Sequence, residues 1–190
     1  MTGITYTVTL QEEEARRRLD ALLDRMDRPR GFYKNVGEYL LNSAIDNFED
    51  ERDPDGIPWD RLRPKTIQRR EDKGLTPIRI LRARGRLAGS LNYVATDEEA
   101  RIGSNLPYAA IHQLGGEIRI PERTSMIHQH YDARTDTFDP KFRRKSHANF
   151  SREVKIKEHT IKMRKRSYLG VSSEGETAII EIAREWLGDE

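Results

Sequence analysis

Histidines are the first residues of this chain that suggest chemistry. His128 and His130 alternate, so on a strand both imidazoles would share one face, and Asp132 and His147 lie in the same segment. Histidine and carboxylate groups hold zinc when three or four of them converge. No spacing here sets the third and fourth ligands, because the surrounding segment is polar and irregular. A solvated polar arm is the better interpretation, and we expect no metal and no other cofactor.

No group of residues predicts an enzyme. The chain has no cysteine, which excludes a thiolate nucleophile, a cysteine zinc site and a disulfide. No serine, aspartate and histidine form a catalytic constellation. No zinc or ββα-metal frame of a nuclease surrounds His147, Asn149 and His159. We therefore expect a protein that works by binding.

The stretch Ile102–Gly116, which reads IGSNLPYAAIHQLGG, is the most distinctive in the chain. It predicts a strand end, a short helix and a sharp turn, since the pair Gly115-Gly116 readily adopts positive φ. His112 and Gln113 stand just before that turn. They either bond the loose carbonyls of the helix end, which we favour, or contact a neighbouring subunit or the tube of an assembly.

Charge is strongly separated along the chain. Residues 1–60 carry 14 acidic and 8 basic side chains, a net charge of −6. Residues 141–166 carry 11 basic and two acidic side chains, a net charge of +9. Such separation predicts either subunits that meet head to tail or a basic surface that faces nucleic acid.

Size and composition set further limits. The 190 residues suit one domain with a large extension, and the hydrophobic content of 35% equals the charged content. The core must be modest, with much surface solvated or buried in an assembly. No apolar run approaches the roughly 18–20 residues of a membrane span, and the N-terminus has no signal-peptide core. We expect a soluble protein that stays in the compartment where it is made and meets no membrane.

The first sixty residues predict a strand and a helical hairpin. Ile4–Leu10 alternates with period two, as a strand does, and residues 11–26 then form a helix that ends at Pro29 and Gly31. Its inward stripe is Ala15, Leu19, Leu22, Leu23 and Met26. A second helix runs antiparallel to it from about Tyr33 to Glu51. This helix buries Val36, Leu40, Leu41, Ala44, Ile45 and Phe48.

The middle of the chain predicts a small antiparallel sheet with short helices. Residues 64–74 form one helix, which starts at a proline, and residues 84–90 form another. Leu91–Thr96 and Ala100–Ser104 pair as a β-hairpin across Asp97-Glu98-Glu99.

The C-terminal half predicts an arm and a closing helix. Glu117–Pro121 is a strand, residues 122–160 are polar without a clean period, and residues 155–163 return as a strand. We expect residues 117–165 to form a long basic insertion arm or hairpin within a single domain spanning residues 1–190. A final amphipathic helix, Glu174–Leu187, buries Ala178, Ile179, Ile182, Ala183 and Trp186. The predicted fold class is α+β.

Several motifs, in their order and spacing, resemble those of the phage virion morphogenesis (tail completion) family of Mu-like and P2-like tailed phages and prophages. The resemblance covers nearly the whole chain. Its main block is Ile102-Gly103-Ser104-Asn105-x-x-Tyr108-Ala109-x-Ile111-His112-Gln113-x-Gly115-Gly116. Other matching motifs are Trp59-x-x-Leu62 with Thr66, Ile80-Leu81-x-x-x-Gly85-x-Leu87-x-x-Ser90, Asp132-Ala133-Arg134-Thr135, and Lys145-Ser146-x-x-Asn149-Phe150. The block Lys162–Gly170 keeps an Arg, an aromatic residue, Leu and Gly of the family pattern but lacks its two prolines.

The resemblance implies a structural virion protein at the head–tail junction or tail end. Related neck and tail-terminator proteins form rings, commonly hexameric. It further implies partners in other copies of the chain, in the tail tube and in the head connector, with DNA passing through the lumen. The location would be the virion neck, and the bacterial cytoplasm during assembly.

Two sets of residues are candidates for contact. The interface and assembly candidates are Tyr108, His112, Gln113, Gly115, Gly116, Phe138, Phe142, Phe150, Tyr168 and Leu169. The candidates for contact with DNA or an acidic partner are Lys141, Arg143, Arg144, Lys145, Arg152, Lys155, Lys157, Arg164, Lys165 and Arg166.

Two functions remain open at this stage. The first is a ring-forming tail completion or terminator subunit, in which the basic segment lies as an arm on the acidic helical hairpin of a neighbour. The second is a DNA-binding protein whose basic segment contacts phosphates without sequence preference. Aromatic residues interleaved with charge favour the arm, because such residues anchor interfaces.

Overall fold

The computed structural model describes residues 12–188, in which the chain divides into two compact units. The first unit contains the chain up to Leu114 together with the part from Lys165 onward, and the second runs from Gly115 to Arg164. Helices and one hairpin build the first unit, and antiparallel strand pairs build the second. The predicted α+β class is confirmed. The strand predicted for residues 4–10 lies outside the described residues.

The first unit contains five α-helices among residues 12–188. They are α1 (Glu12–Asp27), α2 (Arg30–Asp50), α3 (Pro64–Glu71), α4 (Ala109–Leu114) and α5 (Ser173–Leu187). At the start of α5 the hydroxyl of Ser172 accepts the N–H of Gly175 at 3.1 Å, which satisfies a backbone donor of the first turn. No helix between residues 12 and 188 is long and apolar enough to cross a membrane.

Aromatic side chains form the centre of the first unit's core. Phe48 of α2 and Tyr168 are almost fully buried, and their ring centroids lie 4.9 Å apart. Trp59 packs edge-on against Phe48 at 5.6 Å. Such tilted and edge-on pairs are favoured by the ring quadrupoles. The remaining buried apolar residues of this cluster are Ala44, Ile80, Leu87, Leu91 and Ala109.

The predicted β-hairpin is confirmed and packs on α2. β1 (Leu91–Ala95) pairs antiparallel with β2 (Ala100–Ser104), with Leu91 opposite Ser104. α2 contacts both strands. At Gly37 the helix comes so close to β1 that an added Cβ would lie 2.4 Å from the ring of Tyr93.

Two helix predictions need correction. The short helix predicted for residues 84–90 is only a 3₁₀ turn at Ala88–Ser90, because Gly85 adopts a φ of +69° and interrupts any earlier helical turn. Gly31 does not end a helix. It lies in the first turn of α2, and its missing side chain makes room for the ring of Trp186.

The apolar stripe of α1 is not buried as predicted. Leu19, Leu23 and Met26 are 60%, 60% and 65% exposed. α1 contacts α5, where the guanidinium of Arg25 donates a 2.9 Å hydrogen bond to the carbonyl of Trp186. That contact leaves the stripe in solvent, because periodicity selects a helical face without saying what covers it.

The second unit is a set of paired strands. β3 (Gly116–Ile120) pairs with β8 (His159–Met163), and β4 (Arg123–Gln129) pairs with β7 (Phe150–Ile156). The short strands β5 (Tyr131–Asp132) and β6 (Thr137–Phe138) pair around a tight turn at residues 133–136. All three pairs are antiparallel. The segment predicted to lack a regular period is therefore largely β-structure.

Candidate assembly interface

Gln113, at the end of α4, holds the connector that leads to α5. Its side-chain amide donates to the carbonyl of Leu169 at 2.7 Å. The oxygen of the same side-chain amide, Oε1, accepts hydrogen bonds from the backbone N–H groups of Tyr168 at 2.9 Å and Leu169 at 3.1 Å. The Gln113 side chain thus makes the hydrogen bonds to the connector backbone that a neighbouring β-strand would otherwise make. Gln113 serves the fold of its own chain, and neither reading of it from the sequence anticipated this role.

Other hydrogen bonds also fasten the connector to the rest of the first unit. The indole of Trp59 donates to the carbonyl of Ser167 at 2.9 Å, and the amide of Asn47 donates to the carbonyl of Tyr168 at 3.3 Å. The hydroxyl of Tyr168 donates to the carbonyl of Ala109 at 3.1 Å. Tyr168 is 1% exposed, and burial raises the pKa of its phenol. Tyr168 is therefore a core residue in the chain, not an exposed contact.

Arg166 is also used inside the first unit. Its guanidinium donates to the carbonyl of Asp60 at 2.9 Å, and only 9% of the residue is exposed. This corrects the expectation that Arg166 faces DNA or an acidic partner, because a buried guanidinium that is already hydrogen-bonded cannot reach a phosphate. Leu169 packs against the same core. The turn predicted at Gly115 and Gly116 is confirmed by their φ values of +70° and +133°.

His112 lies partly buried beside the connector. Its carbonyl accepts the N–H of Arg166 at 2.8 Å, and its ring meets that of Tyr108 edge-on at 6.1 Å. The ring atom Nδ1 is buried without a hydrogen-bond partner among the described residues. Burial, and then the charge of Arg166, lower the pKa of His112 below its usual value. Tyr108 is 38% exposed, so it remains available at the surface.

In the second unit, three aromatic rings pack together at the end of the β4–β7 pair where Phe150 lies opposite Gln129. Phe138 lies 5.0 Å from Tyr131 and 4.9 Å from Phe150, measured between ring centroids. Phe138 and Phe150 are 47% and 37% exposed. These rings form a small cluster within the second unit, and Phe138 and Phe150 each remain partly exposed to solvent.

Phe142 differs from the other two phenylalanines. It is 70% exposed, and no ring contact involves it among residues 12–188. The backbone beside it is tied down, since the N–H of Arg143 bonds the carbonyl of His128 and the N–H of Asp139 bonds that of His130, both at 2.8 Å. Phe142 is therefore an apolar side chain held in solvent by an ordered backbone.

The basic candidates of the second unit fall into two groups. Arg143 is paired with Asp139, and Lys155 lies 2.8 Å from Glu122. Arg164 also has a partner. In the described part of the chain, five of these candidates are exposed and have no side-chain hydrogen-bond or ion-pair partner. They are Lys141, Arg144, Lys145, Arg152 and Lys157. Lys165, at the start of the returning chain, is likewise exposed and unpaired within residues 12–188.

We name the exposed set around Phe142 the arm patch. It consists of Lys141, Phe142, Arg144 and Lys145. All four side chains are exposed, and the three cations flank the aromatic ring in sequence. An exposed ring with three exposed cations beside it in sequence suits a partner with apolar and acidic groups side by side.

The first unit carries a face of that complementary kind, which the sequence assigned to the core. We name it the α1 face. It consists of Leu19, Leu23 and Met26, with Asp20, Asp24 and Asp27 next to them along the helix. All six side chains are exposed, and Asp24 lies 3.6 Å from Arg28. Asp20 and Asp27 have no ion-pair partner among the described residues. The low mean hydropathy of the helix, which carries six acidic residues, is the signal that this stripe is not a core face.

The histidines that first suggested a metal are used otherwise. His128 shares a 2.6 Å hydrogen bond between its Nδ1 and the hydroxyl of Ser151, and Asp132 accepts the N–H of Arg134 at 2.9 Å. Within residues 12–188 no three histidine, aspartate or glutamate side chains are grouped to hold a metal ion.

Comparison with known proteins agrees with the resemblance found in the sequence. Residues 10–188 match the model of the phage virion morphogenesis family. The chain is also similar to a protein of Escherichia phage Mu described as putative capsid assembly protein G. The two are 36% identical over 104 residues, which cover 53% of this chain and 67% of that protein. No solved structure shows significant similarity.

Proposed function

This chain belongs to the phage virion morphogenesis family, and we propose that it is the subunit that completes the tail and enables head–tail joining. Its action is mechanical and steric, without catalysis. Subunits dock on the last ring of the tail, stop growth of the tube and present a surface to the head connector. The description of the Mu protein as a capsid assembly protein supports a role in assembly. The protein would act in the virion neck after assembly in the host cytoplasm.

The observation that carries the proposal is the presence of two unlike, complementary surfaces on one chain. A ring closed by head-to-tail contacts needs a different patch on each side of the subunit. The arm patch offers Phe142 among cations, and the α1 face offers leucines and methionine beside aspartates. We propose that the arm patch of one subunit binds the α1 face of the next.

The apolar contact supplies most of the affinity of this interface. Complete burial of a phenylalanine side chain is worth about 1.5–3 kcal/mol, and Phe142 has most of its surface still to bury. Exposed ion pairs contribute about 0.2–1 kcal/mol each and are screened by salt. The charges therefore set the register and favour the correct partner. One such contact is weak, and ring closure multiplies it through effective concentration.

DNA binding by the same patch is the second candidate function. The unpaired cations of the second unit could contact phosphates, and each contact would lower log K by about 0.9 per tenfold rise in salt. Exposure of Phe142 among them favours a protein partner, because a phosphate backbone offers no apolar surface against which the ring could be buried. Binding of a short DNA duplex at low salt, lost on K141E/R144E/K145E, would support this second function.

Electron microscopy of phage lysates tests the proposed function. A phage deleted for this gene should yield filled heads beside unjoined tails, and the tail length separates failed joining from failed termination. Complementation with F142E should give the same particles. V94E is the matched control, since Val94 is a 62% exposed apolar residue on β1 outside both surfaces, and it should restore joined particles. Joined particles from the deleted phage would overturn the proposal.

A further inference from the structure

We propose that a pocket in the first unit, between α3, residues 81–87 and α4, binds a carboxylate on an acidic peptide segment of a neighbouring virion protein. The pocket has a volume of about 270 Å³. Arg70, Arg84 and Arg86 contribute its charge, and Leu87, Tyr108 and His112 line the rest together with apolar side chains of the same loop. One part of this proposal, that the partner is a virion protein, rests on the proposed function.

Three arginines and no acidic residue line the pocket, although the charge of Glu51 acts on Arg70. Arg70 is anchored by a hydrogen bond of 2.5 Å to the carbonyl of Arg79. The nearby carboxylate of Glu51 accepts the N–H of Ile80 at 2.7 Å. In the described chain the side chains of Arg84 and Arg86 have no hydrogen-bond or ion-pair partner. Two guanidiniums are thus free to bind an anion.

The planar fork of arginine favours an oxyanion as the ligand. A guanidinium presents two parallel N–H groups that match the two oxygens of a carboxylate. Partial burial of Arg70 removes water from its side chain, as the lowering of its pKa by desolvation indicates. An anion beside a partly desolvated cation is bound more strongly than in open solvent.

His112 supplies a second, independent indication of a ligand. Its Nδ1 is buried without a partner among residues 12–188. A buried polar nitrogen without a hydrogen bond costs free energy, so such atoms in native proteins call for an explanation. A carboxylate bound beside this ring would favour its protonated form and so offset the lowered pKa.

The backbone of the pocket wall contains one strained residue and one glycine turn. Leu81 has a φ of +56°, which a branched side chain rarely adopts, and Gly85 has a φ of +69° between the two free arginines. Strain of this kind persists where the surrounding structure maintains it, and it concentrates at ligand sites. The turn at Gly85 presents Arg84 and Arg86 from one short loop.

The shape of the pocket favours a peptide over DNA. A cavity of about 270 Å³ lined by Leu81, Ala83 and Leu87 accepts an aspartate or glutamate side chain and the apolar atoms beside it. A DNA duplex, whose major groove alone is about 12 Å wide, is too wide to enter a concavity of this volume. This pocket is thus a concave site for a single side chain, whereas the arm patch is an exposed surface.

Titration of the isolated chain with acetylated tetraglutamate tests this proposal, with NMR detection of the arginine Nε–H and histidine ring signals. We expect saturable shifts for Arg84, Arg86 and His112. The double variant R84Q/R86Q should weaken binding at least about tenfold, the loss expected for charge-assisted hydrogen bonds. R69Q is the matched control, since Arg69 is an exposed arginine of α3 outside the pocket, and it should bind as the wild type does.

Three results would overturn the proposal. They are equal binding by R84Q/R86Q and wild type, absence of binding to tetraglutamate, and tighter binding of inorganic phosphate or a 12-base-pair duplex than of tetraglutamate. Thermal unfolding confirms that each variant is folded before titration. Because the assay uses the isolated chain, it reports on the pocket even if the deleted phage still joins its heads and tails.

Discussion

Gln113 and Leu169 are joined by two hydrogen bonds through both polar atoms of the glutamine side-chain amide. The amide nitrogen donates to the Leu169 carbonyl at 2.7 Å, and the amide oxygen accepts the Leu169 N–H at 3.1 Å. The two residues flank the second unit in sequence, since the chain leaves the first unit after Leu114 and returns at Lys165. Gln113 therefore joins the two parts of the first unit that the second unit separates in sequence.

We expect Gln113→Ala to destabilise the first unit by about 2–4 kcal/mol. The substitution leaves the backbone N–H of Tyr168 and both polar backbone groups of Leu169 without their partner, and each group left unpaired costs about 1–3 kcal/mol where water cannot replace it. Urea unfolding followed by tryptophan fluorescence measures this loss, because both tryptophans, Trp59 and Trp186, lie in the first unit.

Gln68→Ala is the control for that experiment. Gln68 is an exposed glutamine whose amide bonds only Asp72 one helical turn away, and its removal should change the free energy of unfolding by less than about 0.5 kcal/mol. Equal effects of the two substitutions would show that the Gln113 contacts do not hold the connector.

Gly37→Ala tests the close contact between α2 and β1. Alanine in a helix interior normally gains about 1 kcal/mol over glycine. Here its Cβ would lie 2.4 Å from the ring of Tyr93, and overpacking of that kind costs about 1–3 kcal/mol. We expect net destabilisation in urea unfolding. Gly89→Ala, where an added Cβ meets nothing within 4 Å, should be close to neutral, and a stabilised Gly37→Ala would contradict the packing.

His112 should make the first unit less stable in mild acid. Its pKa in the folded chain is lowered, chiefly by burial, whereas in the unfolded chain it lies near 6.5. The unfolded state therefore binds the extra proton first as the pH falls through that value, and the free energy of unfolding decreases. Between about pH 7.5 and pH 5.5 the wild type should lose more stability than His112→Gln. An identical loss of stability in the wild type and in His112→Gln would contradict the lowered pKa of His112.

The sequence predicted those elements whose signals are local. The β1–β2 hairpin follows from two alternating runs around Asp97-Glu98-Glu99, and α5 follows from its apolar stripe. The Gln113 contacts were not predictable, because they join residues 56 positions apart in the chain. Arg166 looked like one more exposed cation of a basic run, since nothing in the run marks the carbonyl of Asp60 as its acceptor.

The α1 face shows a different limit. Its stripe has the spacing of a core helix, and spacing does not distinguish burial in the same chain from burial against a neighbour. Only the exposure of Leu19, Leu23 and Met26 separates the two cases. In the second unit, the structure distinguishes Phe142, which makes no ring contact among residues 12–188, from Phe138 and Phe150, which pack together.

Reversal of charge on both surfaces tests the contact between the arm patch and the α1 face most directly. A phage deleted for this gene is complemented with K141E/R144E/K145E, with D20K/D24K/D27K, or with both sets in one chain. Each set alone should sharply reduce the yield of joined particles, because like charges would meet across the interface. The combined chain should restore the yield, since opposite charges meet again. Wild-type yields from both single sets, or no recovery by a folded combined chain, would contradict the account.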